Sequence, residues 1–129
     1  MLDRPNPKLL LLVVNFLRKL SIFEENMRSM ATLSVVEKLS KFVPCNQEQL
    51  LRVTMHARVC TQPPPLTHHV CPHQNQGVLR LLFNLSFEPK LRDVMLSNSL
   101  VPKLVSLLKL VPFRAITLRL LYHIRFVLQ

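Results

Sequence analysis

The sequence predicts an all-helical protein, and three observations support this fold class. The chain has 129 residues, of which 49% are apolar, and this is enough to bury the core of one domain. Ten prolines stand against a single glycine, Gly77, so two-residue hairpin turns, which need positive φ angles, are not expected. Apolar residues also recur every three or four positions over long stretches, as they do on the buried side of a helix.

The first long helix is predicted over residues 7–21. A short helix is predicted over residues 27–30, after a turn at Glu24 and Glu25, and an amphipathic helix over residues 35–42. We expect the apolar stripe of the first helix to belong to the core, although part of it is exposed because the chain has no evident polar caps. The stripe consists of Leu9, Leu12, Phe16 and Leu20.

An internal repeat predicts the remaining elements. Residues 15–43 align without a gap with residues 80–108, which pairs Ser21 with Ser86 and Met30 with Met95. The segment 78–85 recurs as residues 117–124, whose apolar stripe is Leu118, Leu121 and Ile124. The repeat predicts short helices over residues 90–96 and 101–108, with a turn at Glu88-Pro89 between the first of them and the preceding long helix. Long helices are predicted over residues 47–86, with an interruption, and over residues 114–126.

The interruption is a segment of foreign composition. Residues 56–77 contain three consecutive prolines, four of the five histidines, two of the three cysteines and the only glycine. Without these 22 residues the repeat offset falls from 65 to 43 residues, within the range of HEAT and armadillo units. Leu50, Val53, Leu79 and Leu82 then form one apolar stripe. We therefore interpret residues 56–77 as a disordered insertion, and residues 7–44, 45–55 with 78–108, and 109–126 as repeat segments of a single domain, residues 1–129.

The stretch LLFNLSFEPKLRDVML, with Asn84 inside the long helix, resembles the armadillo signature. Together with LLLLVVNFLRKLSIFEENMRSM, VVEKLSKFVPC, LVPKLVSLL and LLYHI, it resembles the armadillo core of the kinesin-associated protein family, the non-motor accessory subunits of heterotrimeric kinesin-2. The resemblance implies a fragment of a right-handed helical solenoid with about two to two and a half repeats. It also implies a scaffold without catalysis that binds the motor tails and links them to cargo, including in cilia.

The same resemblance implies a set of partner-binding residues. In the armadillo signature the asparagine of the third helix lies on the concave face and hydrogen-bonds bound peptides, which is the role expected of Asn84. A purely structural link to the neighbouring repeat is the alternative. Lys19 and His123 stand at the equivalent positions of the other copies. Arg80 and Arg119 are equivalent to one another, one turn earlier, and could meet an acidic partner segment or form a solvated surface.

The cysteines and histidines of the insertion suggest a zinc site, but their spacing argues against one. Cys60, His68, His69, Cys71 and His73 fit no standard zinc finger, because no CxxC pair is present. A nucleophilic cysteine would need a positioned base, and carboxylates are scarce, so neither Cys45 nor Cys60 indicates an enzyme. We expect no metal, no cofactor and no small-molecule substrate.

The net charge of +10 implies attraction to acidic partners. A nucleic-acid binder is a distant alternative, because the phenylalanines lie in helical apolar contexts and no RNA-binding motif is present. A generic armadillo adaptor that binds another extended peptide is the closer alternative. The apolar run at residues 9–14 is too short for a signal peptide or a membrane span. We expect a cytoplasmic protein associated with microtubules or cilia.

Overall fold

The computed structural model describes residues 7–43 and 72–126, and every regular element in these ranges is an α-helix. In chain order the helices are α1 (Pro7–Leu20), α2 (Glu24–Thr32), α3 (Val35–Ser40), α4 (Pro72–Leu85), α5 (Pro89–Ser97), α6 (Leu100–Leu107) and α7 (Val111–Phe126). The predicted all-α class is confirmed, and the arrangement is that of a helical solenoid fragment. No helix in the described ranges is both long enough and apolar enough to cross a membrane.

The long helices α1, α4 and α7 lie side by side, with α4 between the other two. Of the short helices, α3 packs against α5, and α6 packs against the long helix α7. Each long helix therefore meets its equivalent in the neighbouring repeat. The core is continuous across the repeats, and its largest fully buried side chains include Leu39, Leu79, Leu81, Met95, Leu104, Phe113 and Leu120.

Prolines and acidic residues account for several helix starts. Pro89 occupies the first turn of α5, where its missing N–H would have no helical partner, and Glu88 is the N-cap. Glu24 and Glu25 lie in the first turn of α2, where carboxylates interact favourably with the helix dipole. The predicted turn at Glu24-Glu25 was thus wrong, because both residues lie in α2. At Glu88-Pro89, Glu88 lies in the turn as predicted, and Pro89 begins α5.

The predicted insertion needs a correction at its end. Helix α4 begins at Pro72, so residues 72–77, assigned to the disordered segment, are helical. Gly77 is buried in this helix, and a Cβ atom there would lie 3.4 Å from Cγ1 of Val14 on α1. Contact with α1 therefore outweighs the low helix propensity of this stretch. Residues 56–71 of the predicted insertion, and Leu50 and Val53 of the predicted stripe, lie outside the described residues.

Three residues of the predicted apolar stripes are exposed. Leu12 and Phe16 on α1 are 66% and 61% exposed, and Leu118 on α7 is 51% exposed. Ile124 is buried as predicted, and the other members of the two stripes, Leu9, Leu20 and Leu121, are half-buried. Phe16 and Leu118 lie on α1 and α7, the outer two of the three long helices in the described ranges.

The turns between the short helices contain a feature that the sequence did not indicate. Ser34, between α2 and α3, has φ 52° and ψ 37°, and Ser99, between α5 and α6, has φ 51° and ψ 21°. This left-handed conformation is costly for residues with a Cβ atom. Both copies of the repeat adopt it at the equivalent position.

Candidate partner-binding face

The predicted site residues lie on one side of the long helices. Lys19, Asn84 and His123 hold equivalent repeat positions on α1, α4 and α7. Asn15, Arg80 and Arg119 stand four residues earlier, and residues four apart share one face of a helix. We call this set the polar stripe: Asn15, Lys19, Arg80, Asn84, Arg119 and His123. Lys19, Arg80 and Arg119 are exposed, whereas Asn84 and His123 are half-buried.

Asn84 links two neighbouring repeats. Its side-chain Nδ2 donates a hydrogen bond to Oγ of Ser21, 3.0 Å away, just past the end of α1. The Ser21 hydroxyl is buried and donates in turn to the carbonyl oxygen of Arg18 at 2.8 Å. Asn84 thus makes a structural link to the neighbouring repeat, which was the alternative to peptide binding for this residue.

His123 makes the same kind of contact one repeat later. Its Nδ1 lies 2.9 Å from Oγ of Ser86, the repeat equivalent of Ser21. The Ser86 hydroxyl is fully buried and donates its proton to the carbonyl oxygen of Phe83 at 2.6 Å. A hydroxyl has only one proton, so Nδ1 of His123 must be the donor. In the neutral ring, Nε2 then carries no hydrogen and can accept a hydrogen bond from a partner.

The surroundings of His123 favour its neutral form. Burial lowers the pKa of His123 below 6.5, and the positive charge of Arg92 on α5 lowers it further, while a hydrogen bond with the backbone of Ser86 acts in the opposite direction. Arg92 is itself buried, and its Nε has no hydrogen-bond partner. The polar stripe therefore presents a neutral imidazole above a buried guanidinium.

A shallow groove runs between α4 and α7 beside this histidine. It has a volume of about 440 Å³ and is lined by Phe83, Leu118, Arg119, Tyr122 and His123. The ring of Phe87 lies 4.2 Å from that of His123, and the ring of Phe83 lies 5.7 Å from it. Most of the lining is apolar or aromatic, with Arg119 as its charged member. Such a groove can hold an apolar side chain next to an acidic one.

The long helices have charges of one sign. Helices α1, α4 and α7 contain no Asp or Glu, whereas each contains at least one Arg or Lys. The acidic residues of the described ranges, Glu24, Glu25, Glu37, Glu88 and Asp93, belong to the short helices or their caps. The field at the polar stripe is therefore positive, and this attracts acidic partners.

Two cations have structural roles that the sequence did not reveal. Nζ of Lys103 on α6 donates to the carbonyl oxygen of Ser40 at the end of α3, 2.9 Å away. Nε of Arg114 donates to the carbonyl oxygen of Leu108 at 3.0 Å and so caps the end of α6. Both satisfy carbonyl groups that a helix end leaves without a partner.

The structure brings the predicted site residues together only in part. Arg119 and His123 line the groove, and Asn84 adjoins its residue Phe83 in sequence. Arg80 is exposed on α4 and is not among the lining residues, and Lys19 is exposed on α1. The sequence interpretation assigned no role to Ser21 and Ser86. Their identity in both copies of the repeat was the available signal.

Most of the cysteines and histidines considered as metal ligands cannot be placed, although His73 lies within α4. Cys60, His68, His69 and Cys71 lie outside the described residues, as does Cys45. Over residues 7–43 and 72–126, no group of three or more His, Cys, Asp or Glu is arranged to hold a metal ion.

A comparison with known protein families identifies the family of the chain. The model of the family described as Kinesin-associated protein (KAP) matches residues 1–60 and 68–127. The chain belongs to the kinesin-associated protein family. It therefore has a kinesin-associated role, in a family of non-catalytic accessory proteins. No curated protein and no solved structure matches the chain.

The match also bears on the foreign segment of this kinesin-associated protein. Only residues 61–67 and the last two residues are left unmatched. The unmatched residues 61–67 include the three consecutive prolines and lie inside the predicted insertion at residues 56–77. The flanking residues 56–60 and 68–77 are matched by the family.

Proposed function

We propose that the chain is a non-catalytic scaffold that binds the tails of kinesin-2 motor subunits through the polar stripe and links them to cargo adaptor proteins. The match to the kinesin-associated protein family is the observation that carries this proposal. Its setting would be the cytoplasm, in transport along microtubules and in cilia. The partner would be an extended segment with acidic residues.

The charge distribution supports an acidic partner at this face. Arg80 and Arg119 hold equivalent positions on neighbouring helices, and both side chains are exposed. No carboxylate on α1, α4 or α7 neutralises them. Exposed positive charges raise the association rate with an acidic segment, and the effect weakens as salt screens the charges.

The groove supports an apolar contact beside the charges. A leucine or phenylalanine of the partner can fill the space between Phe83 and Tyr122, next to the guanidinium of Arg119. Because Nδ1 of His123 donates to Ser86, the lone pair on Nε2 can accept one hydrogen bond from a partner backbone N–H. Aromatic and arginine side chains are enriched among residues that dominate binding energy.

The test is the affinity of the chain for purified kinesin-2 motor tails, measured by isothermal titration calorimetry. We expect the double variant Arg80→Glu, Arg119→Glu to bind at least tenfold more weakly than the unchanged chain. The matched control is Lys90→Glu, Lys109→Glu, which changes the net charge equally at exposed positions outside the polar stripe.

Each result of this comparison has a defined meaning. Selective loss in the stripe variant supports binding at this face. Equal loss in both double variants would mean that net charge alone drives binding and would contradict the proposed site. If the motor tails do not bind but an unrelated acidic extended peptide does, the chain is a general peptide adaptor.

A further inference from the structure

Arg92 on α5 is a charged side chain at a core position, and only 6% of it is exposed. By the repeat offset of 65 residues its equivalent is Met27 on α2, which is also buried. The fold therefore accommodates an uncharged, apolar side chain at this position. An arginine there needs another reason, because its guanidinium stays charged and is costly to bury without a partner.

The guanidinium of Arg92 has no acceptor within residues 7–43 and 72–126. Its Nε is buried without a hydrogen-bond partner, and the ion pair found in these ranges joins Arg28 to Glu24 on α2. Nη1 and Nη2 are not sealed from solvent in the same way. An acceptor from another molecule can therefore reach the end of the side chain.

The two carboxylates nearest to Arg92 in sequence do not supply this acceptor. Glu88 stands four residues earlier, the spacing at which glutamate and arginine pair along a helix. It is, however, the N-cap of α5, with extended angles of φ −85° and ψ 120°, so it lies outside the helical geometry that this pairing needs. Asp93 is the adjacent residue and is exposed, and adjacent residues of a helix do not face each other.

Arg92 is close to the proposed partner-binding groove. Helix α5 packs against α7, and the charge of Arg92 acts on the ring of His123 and lowers its pKa. His123 lines the groove between α4 and α7. A partner segment in that groove thus passes near a guanidinium that lacks an acceptor. A carboxylate suits it, because its single negative charge balances the guanidinium and its two oxygens match the paired N–H groups.

We propose that Arg92 binds one carboxylate of the acidic partner segment, from an aspartate or glutamate side chain that reaches it beside His123. This inference rests on the proposed function for the identity of the partner. Arg80 and Arg119 are exposed, so salt weakens their attraction for the segment. Arg92 is shielded from solvent, so it selects a carboxylate at one position of the segment and is less sensitive to salt.

The first test compares Arg92→Met with Lys90→Met by isothermal titration calorimetry against purified kinesin-2 motor tails. Both variants of the full chain remove one positive charge from α5, but Lys90 is exposed. We expect Arg92→Met to weaken binding by about tenfold or more and Lys90→Met to change it by less than about twofold. Methionine fits the equivalent position as Met27, and circular dichroism confirms that each variant folds.

A second measurement needs no motor tail. Acetate is added to the full chain at constant ionic strength, with chloride as the control, and the ring signals of His123 are followed by nuclear magnetic resonance over a pH series. A carboxylate bound to Arg92 cancels the charge that lowers the pKa of His123. We therefore expect acetate to raise this pKa relative to chloride in the unchanged chain, and the two salts to act equally on Arg92→Met.

Failure of this inference can be told apart from failure of the proposed function. If the double variant of Arg80 and Arg119 loses affinity while Arg92→Met binds as well as the unchanged chain, the proposed function stands and the carboxylate site is wrong. If the tails do not bind at all, the proposed function fails and the response to acetate decides. A His123 pKa equal in acetate and chloride overturns the site. Stronger tail binding by Glu88→Gln would show that Glu88 occupies Arg92 in solution and would also overturn it.

Discussion

The side-chain amide of Asn84 donates a hydrogen bond to the buried hydroxyl of Ser21, joining the second long helix to the end of the first. His123 and Ser86 repeat this relationship at the next step. The same kind of hydrogen bond to a buried serine therefore joins both pairs of neighbouring repeats. The donor is an amide in the first pair and an imidazole in the second. This arrangement makes several consequences measurable.

Removing the Asn84 amide should destabilise the fold. Asn84→Ala loses a hydrogen bond to a buried acceptor, so we expect the free energy of unfolding to fall by about 1 kcal/mol. A double-mutant cycle with Ser21→Ala, measured by urea denaturation, isolates the pair. A coupling energy near zero would show that the hydrogen bond does not contribute. Asn15→Ala, at an exposed position of the same stripe, is the control and should change little.

Acid should weaken the fold through His123. The pKa of His123 is lowered by burial and by Arg92, so the unfolded chain binds this proton more readily than the folded one. The stabilising contribution is thus complete above the unfolded pKa of about 6.5 and is lost as pH falls from there through the folded pKa. His123→Asn retains a donor of the kind that Asn84 supplies but cannot titrate.

Comparing the unchanged chain with His123→Asn cancels the contribution of the other histidines to the pH dependence. We expect the free energy of unfolding, measured over a pH series, to decline more steeply in acid for the unchanged chain than for His123→Asn. Identical slopes of unfolding free energy against pH in the two proteins would contradict the assignment of the acid effect to His123. Nuclear magnetic resonance of the His123 ring gives its pKa directly.

Glycine should stabilise the two strained turns. Ser34 and Ser99 adopt a left-handed conformation that costs a residue with a Cβ atom about 1–2 kcal/mol. Glycine relieves this cost but loses more entropy on folding, by about 0.5–1 kcal/mol, so Ser34→Gly and Ser99→Gly should each stabilise by up to about 1 kcal/mol. Ser29→Gly, inside α2, should destabilise by a similar amount, and thermal unfolding compares all three.

The fold should be more stable with valine than with threonine at position 117. Thr117 is fully buried in α7, and its Oγ1 has no hydrogen-bond partner. The equivalent residues of the other copies are Val13 and Val78. Thr117→Val removes an unsatisfied hydroxyl while keeping the branched shape, so we expect a gain of about 1 kcal/mol in urea denaturation. Thr32→Val, at an exposed position, should show no such gain.

The helices could be predicted from the sequence because each has an apolar spacing and a repeat partner. The predicted first helix, residues 7–21, differs from α1 by one residue. The helical residues 72–77 were missed because their composition assigned them to the insertion, whereas in the fold Gly77 lies close to Val14 of α1 and Gln76 donates to the carbonyl oxygen of Pro112. The last long helix was predicted over residues 114–126, but α7 begins three residues earlier, at Val111, because proline is tolerated in a first turn.

Less of the candidate site than of the fold could be predicted from the sequence. Helical spacing sufficed to place Arg119 and His123 on one face, because both lie on the same helix. The Asn84–Ser21 pair required knowing that equivalent repeats stack, because the two residues are far apart in the chain. The left-handed turns at Ser34 and Ser99 follow from packing between short helices, and serine gives no local signal for them.

The two serine-centred contacts also bear on how the molecule responds to mechanical load. A pulling force along the stack acts on the step between α1 and α4 and on the step between α4 and α7 in series. The first step is held by Asn84, which does not titrate, and the second by His123, which protonates in acid. Under tension at low pH the rupture should therefore begin between α4 and α7, whereas at neutral pH neither step is weakened by protonation.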